Sequence, residues 1–133
     1  MYSGNCLCGG VTFRIKGELA PIQMCHCVQC RKAQGTAFVT NIPVPAAQLE
    51  WLSGESLFSR FESSPGKCRV FCRNCGSPLF SETSAQPGMV RIRAGLLNGE
   101  LATRPVFHIF TDHKANWFDI NDGLPQHAEW PPR

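Results

Sequence analysis

At 133 residues, 43% of them hydrophobic and with nine Phe and three Trp, the chain has the size of one domain. Its apolar side chains suffice for a core, which excludes a disulfide knot standing in for a missing interior. The formal charge of +3 treats every cysteine as neutral; if seven cysteines bind two zinc ions as thiolates, seven negative charges against four positive ones cancel it. An argument for nucleic acid from basicity then loses its ground.

No charge block, repeat or Pro/Gly/Ser linker divides the chain, so a single domain over residues 1–133 is expected, with its core at about residues 3–117. The start, Met1-Tyr2-Ser3-Gly4-Asn5, has no basic stretch followed by an apolar run. Nor does any segment approach the roughly 20 apolar residues of a membrane span, and a cytoplasmic location is expected. In such a reducing compartment eight cysteines point to metal ligands or reactive thiols rather than bridges.

Residues 11–16, Val-Thr-Phe-Arg-Ile-Lys, alternate apolar and polar and stop at Gly17, the pattern of a half-buried strand. Cysteines at i and i+3 would share a face of a short helix over residues 27–34, and Gly35 could supply its left-handed cap. Less regular strand patterns follow at 37–42, 51–52, 57–61, 68–72, 78–81, 90–94 and 106–110. Pro43 and Pro45 argue against helix between the first two of these, while 46–49 could form a brief turn; residues 129–133 read as an irregular tail. The chain is expected to be mostly β, with short antiparallel sheets and little helix.

Three cysteine clusters stand out: Cys6-x-Cys8, Cys25-His26-Cys27-x-x-Cys30 and Cys72-x-x-Cys75-Gly76. A tetrahedral zinc with bonds of about 2.3 Å to sulfur needs sulfurs roughly 3.8 Å apart, a spacing that tight turns deliver two at a time. Asn74 and Gly76 tolerate the left-handed backbone of such a turn. Cys6 and Cys8 could add the second edge and close a four-cysteine structural site. Reduced core thiols or a redox pair are the alternatives, although the latter would need a thioredoxin-like setting that is not evident.

The middle cluster has three cysteines and no nearby fourth partner. Three protein ligands with one open position is the arrangement of catalytic zinc. The alternative is that His26, a distant histidine or Cys68 closes the shell. Cys68, about 13 Å from Cys72 along an extended chain, is too far to share its zinc and reads as a packed core thiol beside Val70. His26 reads as exposed or as a supporting residue rather than a ligand, and His108, His113 and His127 as structural.

Taken in order, Cys6-Leu-Cys-Gly-Gly-Val-Thr-Phe, Cys25-His-Cys-Val-Gln-Cys-Arg-Lys and Phe71-Cys-Arg-Asn-Cys-Gly-Ser-Pro-Leu resemble the glutathione-dependent formaldehyde-activating enzyme family, whose domain is shared with centromere protein V. The resemblance runs from about Ser3 to Trp117. It implies a fold of the β-tent type, a structural zinc on Cys6, Cys8, Cys72 and Cys75, and a second, more labile zinc on Cys25, Cys27 and Cys30 whose fourth position takes a thiol such as glutathione. The implied chemistry is carbon–sulfur lyase chemistry on glutathione/aldehyde adducts, with S-hydroxymethylglutathione formed or cleaved. Arg31 and Lys32, beside the second cluster, could contact the glutathione carboxylates, or could simply be solvated.

Two rival functions come from other classes. One is a zinc-ribbon-like module for nucleic acid or protein, with Arg69, Arg73, Arg91 and Arg93 as a basic strip, although no aromatic stacking motif accompanies them. The other is a thiol redox or zinc sensor, in which oxidation of Cys25, Cys27 or Cys30 ejects the metal.

Overall fold

The computed structural model describes residues 1–132; Arg133, the end of the expected tail, lies outside them. Strands form where branched or aromatic side chains alternate with polar ones. In β2 (Thr12–Ile15), for example, Phe13 and Ile15 are buried and Thr12 and Arg14 half-buried. This strand lies between β1 (Tyr2–Asn5) and β5 (Leu49–Ser53) in a three-stranded antiparallel sheet.

A seven-stranded sheet holds the rest. It comprises β3 (Ile22–Cys25), β4 (Val39–Pro45), β6 (Phe58–Ser64), β7 (Lys67–Cys72), β8 (Pro78–Thr83), β9 (Met89–Arg93) and β10 (Pro105–Ile109), in the order β10-β3-β4-β9-β8-β7-β6. The mostly β fold expected from the sequence is what forms. One pairing departs from the antiparallel rule, since β10 runs parallel to β3. That is possible because some 80 residues of chain, including six strands, separate the two and allow the crossover.

Phe13, Ile42, Leu79 and Ile92, all fully buried, anchor the main core. Trp51 is held edge-on to Phe13 at 5.3 Å and to Phe58 at 4.9 Å, so both sheets contribute to it. Burying each such side chain is worth about 1.5–3 kcal/mol.

Every strand pattern expected from the sequence falls within an observed strand or overlaps one, and two strands carried no pattern. In β1, Ser3, Gly4 and Asn5 lack strand propensity; the strand forms because Gly4 lets Phe13 approach, and a Cβ there would sit 2.3 Å from the Phe13 ring. At only four residues, β3 is too short for a period to show. Pro43 and Pro45 lie in β4 beyond the reach of β3, where the strand has a neighbour on the β9 side only and a missing N–H costs no ladder bond. The turn expected at 46–49 is a single 3-10 turn, Ala46–Gln48.

The helix forms as expected, α1 (Val28–Gln34), with Cys27 at its N-cap and Gly35 at φ 68 as its left-handed C-cap. The tail is irregular yet anchored. His108 N–H donates to Pro125 O, His127 N–H to His108 O, and Phe110 N–H to Glu129 O. Trp130 then packs edge-on to Phe110 at 5.4 Å.

Candidate metal centres

The ends of β1 and β7 bring two sequence-distant cysteine pairs together. The sulfurs of Cys6, Cys8, Cys72 and Cys75 all lie within 4.8 Å of one another. Cys6 and Cys8 are 3.5 Å apart and Cys8 and Cys72 are 3.9 Å apart, which brackets the roughly 3.8 Å edge of a zinc–sulfur tetrahedron. Backbone amides point at the sulfurs, Val11 N–H to Cys6 at 3.3 Å and Gly10 N–H to Cys8 at 3.4 Å. The Asn74 side chain draws the Cys8 thiol below its ordinary value, and Ser77 brings Cys75 down to about 5. Burial pushes Cys72 up. These thiols are arranged to be held as thiolates around a cation, and Cys6 and Cys72 are fully buried. Cys68, as expected, packs half-buried on the main core and joins neither cluster.

The second cluster sits at the corner between β3 and α1. Cys25 closes the strand, Cys27 caps the helix by accepting the Cys30 N–H at 3.3 Å, and Cys30 lies in the first turn. Their sulfurs also lie within 4.8 Å of one another, and among the described residues no fourth His, Cys, Asp or Glu joins them. Hydrogen bonds from Cys25 and Cys27 hold the Cys30 thiol far down, at about 2, with the charge of Arg69 adding to the effect; the same contacts and burial drive Cys25 up. Three sulfurs this close do not all ionise unless a cation sits among them, so the donor set fits a soft divalent metal.

Buried cations surround the cluster. The Arg69 guanidinium approaches Cys30 Sγ at 3.7 and 3.8 Å. Arg93 donates to Asn41 Oδ1 and, at 3.4 Å, to Ser81 Oγ. Both arginines are buried and have no carboxylate partner among the described residues. Their counter-charge is the thiolate cluster, and three thiolates around one divalent ion would keep one negative charge for them. The arginines suggested as a basic strip therefore do not form one: Arg69 and Arg93 face inward, Arg91 bonds Gln23 and lies 5.6 Å under Trp130, and Arg73 alone is exposed.

Behind the cluster, His26 is fully buried, which rules out the exposed alternative and leaves the supporting one. Its Nε2 lies 2.7 Å from His108 Nδ1, and His108 Nε2 lies 2.7 Å from Asp122 Oδ2. Burial lowers the His26 pKa to about 4. A neutral His26 donating to His108, which in turn donates to Asp122, accounts for both contacts. The ring packs between Phe38 and His108 and props the turn that carries Cys25 and Cys27. Neither Asp122 nor the role of His108 had a local sequence signal, because the three residues meet only through tertiary structure.

A cavity of about 420 Å³ opens in front of Cys25, Cys27 and Cys30, with Lys67, Arg91 and Trp130 on its walls. Arg31, half-buried, and Lys32, exposed, lie in the last turn of α1 and do not line it. Their position at the C-terminal end of the helix suits its dipole.

A β-rich scaffold carrying one four-cysteine and one three-cysteine cluster, each able to hold a metal ion, defines the class of protein. The profile of the family described as "Glutathione-dependent formaldehyde-activating enzyme" matches residues 1–113, and the chain belongs to that family. It is 29% identical, over 98 residues, to an uncharacterised lyase of Schizosaccharomyces pombe, a match covering 74% of this chain and 69% of the relative. Its fold is similar to the crystal structure of a Rhodobacter sphaeroides protein, with a TM-score of 0.63 at 19% identity, covering 78% of this chain and 99% of the other. No helix among the described residues is long and apolar enough to cross a membrane.

Proposed function

We propose that the protein is a zinc-dependent carbon–sulfur lyase-type enzyme that joins a small thiol such as glutathione to an aldehyde, formaldehyde in the simplest case, or cleaves the adduct. The observation that carries this reading is the three-sulfur cluster facing a cavity with no fourth protein ligand among the described residues. Membership of the family and similarity to a relative named a lyase support it.

The reaction forms one carbon–sulfur bond, and the thiol proton passes to the carbonyl oxygen; the reverse breaks that bond and returns the proton. When bound, zinc would supply Lewis acidity, lowering the pKa of a thiol and polarising a carbonyl. The protein's own residues hold the site ready. Cys25, Cys27 and Cys30 would be the ligands, the Cys30 N–H fixes the Cys27 sulfur, and Arg69, donating to the Cys30 sulfur, offsets the accumulated negative charge. Cys6, Cys8, Cys72 and Cys75 would hold the structural ion. The eight free thiols suit a reducing compartment such as the cytoplasm, where glutathione is present.

Zinc content per chain, measured by elemental analysis before and after mild chelation, tests the reading. Two ions are expected, one readily stripped and protected by glutathione. One ion indifferent to glutathione would overturn it. Mixing glutathione and formaldehyde with the protein and following S-hydroxymethylglutathione by NMR then tests the substrate pair against other aldehydes.

A further inference from the structure

The thiolate cluster does not need every cation near it. Arg69 contacts Cys30 directly, and Arg93 is buried behind it. Lys67 and Arg91 differ from these two because they line the open cavity. No Asp or Glu among the described residues lines that cavity. Nor does the Lys67 ammonium have a hydrogen-bond or ion-pair partner among the described residues, although it is half-buried. Burial depresses its basicity, an effect that a bound anion would relieve. Arg91 is held in place from two sides, by the Gln23 side-chain carbonyl and by the Trp130 ring 5.6 Å away. Its remaining N–H donors are thereby preorganised on the cavity wall, and a planar guanidinium matches a carboxylate in geometry.

We propose that Lys67 and Arg91 form an anion-docking subsite that selects thiols carrying a carboxylate, with Trp130 of the C-terminal segment holding Arg91 in register. This rests on the reading that a thiol occupies the open side of the Cys25, Cys27 and Cys30 cluster. It also assigns work to two residues that neither the cysteine spacing nor the position of Arg31 and Lys32 indicates. The cavity, at about 420 Å³, is within the range that encloses small ligands.

The test titrates zinc-loaded protein by calorimetry with two probes of similar size, 3-mercaptopropionate and 2-mercaptoethanol, which differ in the carboxylate. Wild type is expected to favour 3-mercaptopropionate by about tenfold, the value of one charge-assisted contact. Lys67→Gln and Arg91→Gln should each erase most of that preference and leave 2-mercaptoethanol binding and zinc content unchanged, while Lys67→Arg restores it. Trp130→Ala should weaken the preference less than Arg91→Gln does. Equal affinity of the wild type for both probes would overturn the subsite and leave the thiol site standing. Loss of zinc or of both thiols in the variants would show the two cations to be counter-charges for the cluster and overturn the subsite too. Binding of neither probe to wild type would remove the thiol-site reading itself, and the subsite with it.

Discussion

The two cysteine corners use the same donor atom in opposite surroundings. At the first, four sulfurs from two distant turns meet, with Cys6 and Cys72 fully buried in the main core. At the second, three sulfurs come from one six-residue stretch, sit beside a separate small core of Val39 and Ile109, and face a cavity. The first corner brings residues 6–8 beside 72–75 and so joins the end of β1 in one sheet to the end of β7 in the other. The second ties a strand end to the helix that follows it, which the backbone would connect anyway. A metal at the first corner would close a long loop; a metal at the second would close almost none, and its worth would lie in what else can bind there.

The sharpest way to break that contrast is to remove one sulfur from each corner. Cys72→Ser should abolish cooperative folding, since a structural zinc can contribute about 10–16 kcal/mol in small domains; far-UV circular dichroism with thermal melting reads the outcome. Cys27→Ser should keep a melting temperature within a few degrees of wild type while losing one zinc by elemental analysis and losing activity. Equal unfolding by both would remove the division of labour.

His26→Ala probes the support of the open corner. It deletes a fully buried ring and leaves His108 Nδ1 without its partner, at a cost of about 3 kcal/mol in urea unfolding. The readily chelated zinc should then leave faster, with the other ion retained. His26→Gln, which can still donate to His108, should recover part of the loss.

Gly54→Ala probes the closed corner with a smaller effect. Gly54 has φ 89, and a Cβ would lie 2.3 Å from Gly10 O and 2.7 Å from Val11 Cα. The amides of Gly10 and Val11 are the ones aimed at Cys8 and Cys6. A destabilisation of about 2 kcal/mol is expected, together with faster zinc release from the four-cysteine site in a chromogenic chelator assay. An unchanged release rate would show that these amides do not hold the sulfurs.

The amino-acid sequence by itself determined whatever is local. Strand β2 was legible in the alternation of Phe13 and Ile15 with Thr12 and Arg14, and helix α1 in the i,i+3 cysteines followed by Gly35. The cysteine clusters were legible because tight turns that bring sulfurs together leave their spacing in the chain. Tertiary structure alone decided the rest. The short strands β1 and β3 exist because neighbours pair with them, and the parallel partnership of β10 with β3 spans some 80 residues. The contacts that link His26 to His108 and His108 to Asp122, Arg69 to Cys30, and Trp130 to Arg91 join residues between 14 and 82 positions apart. Their physical basis is burial, which makes a lone charge or ring nitrogen costly and so selects its partner in space, leaving no mark on the residues beside it in sequence.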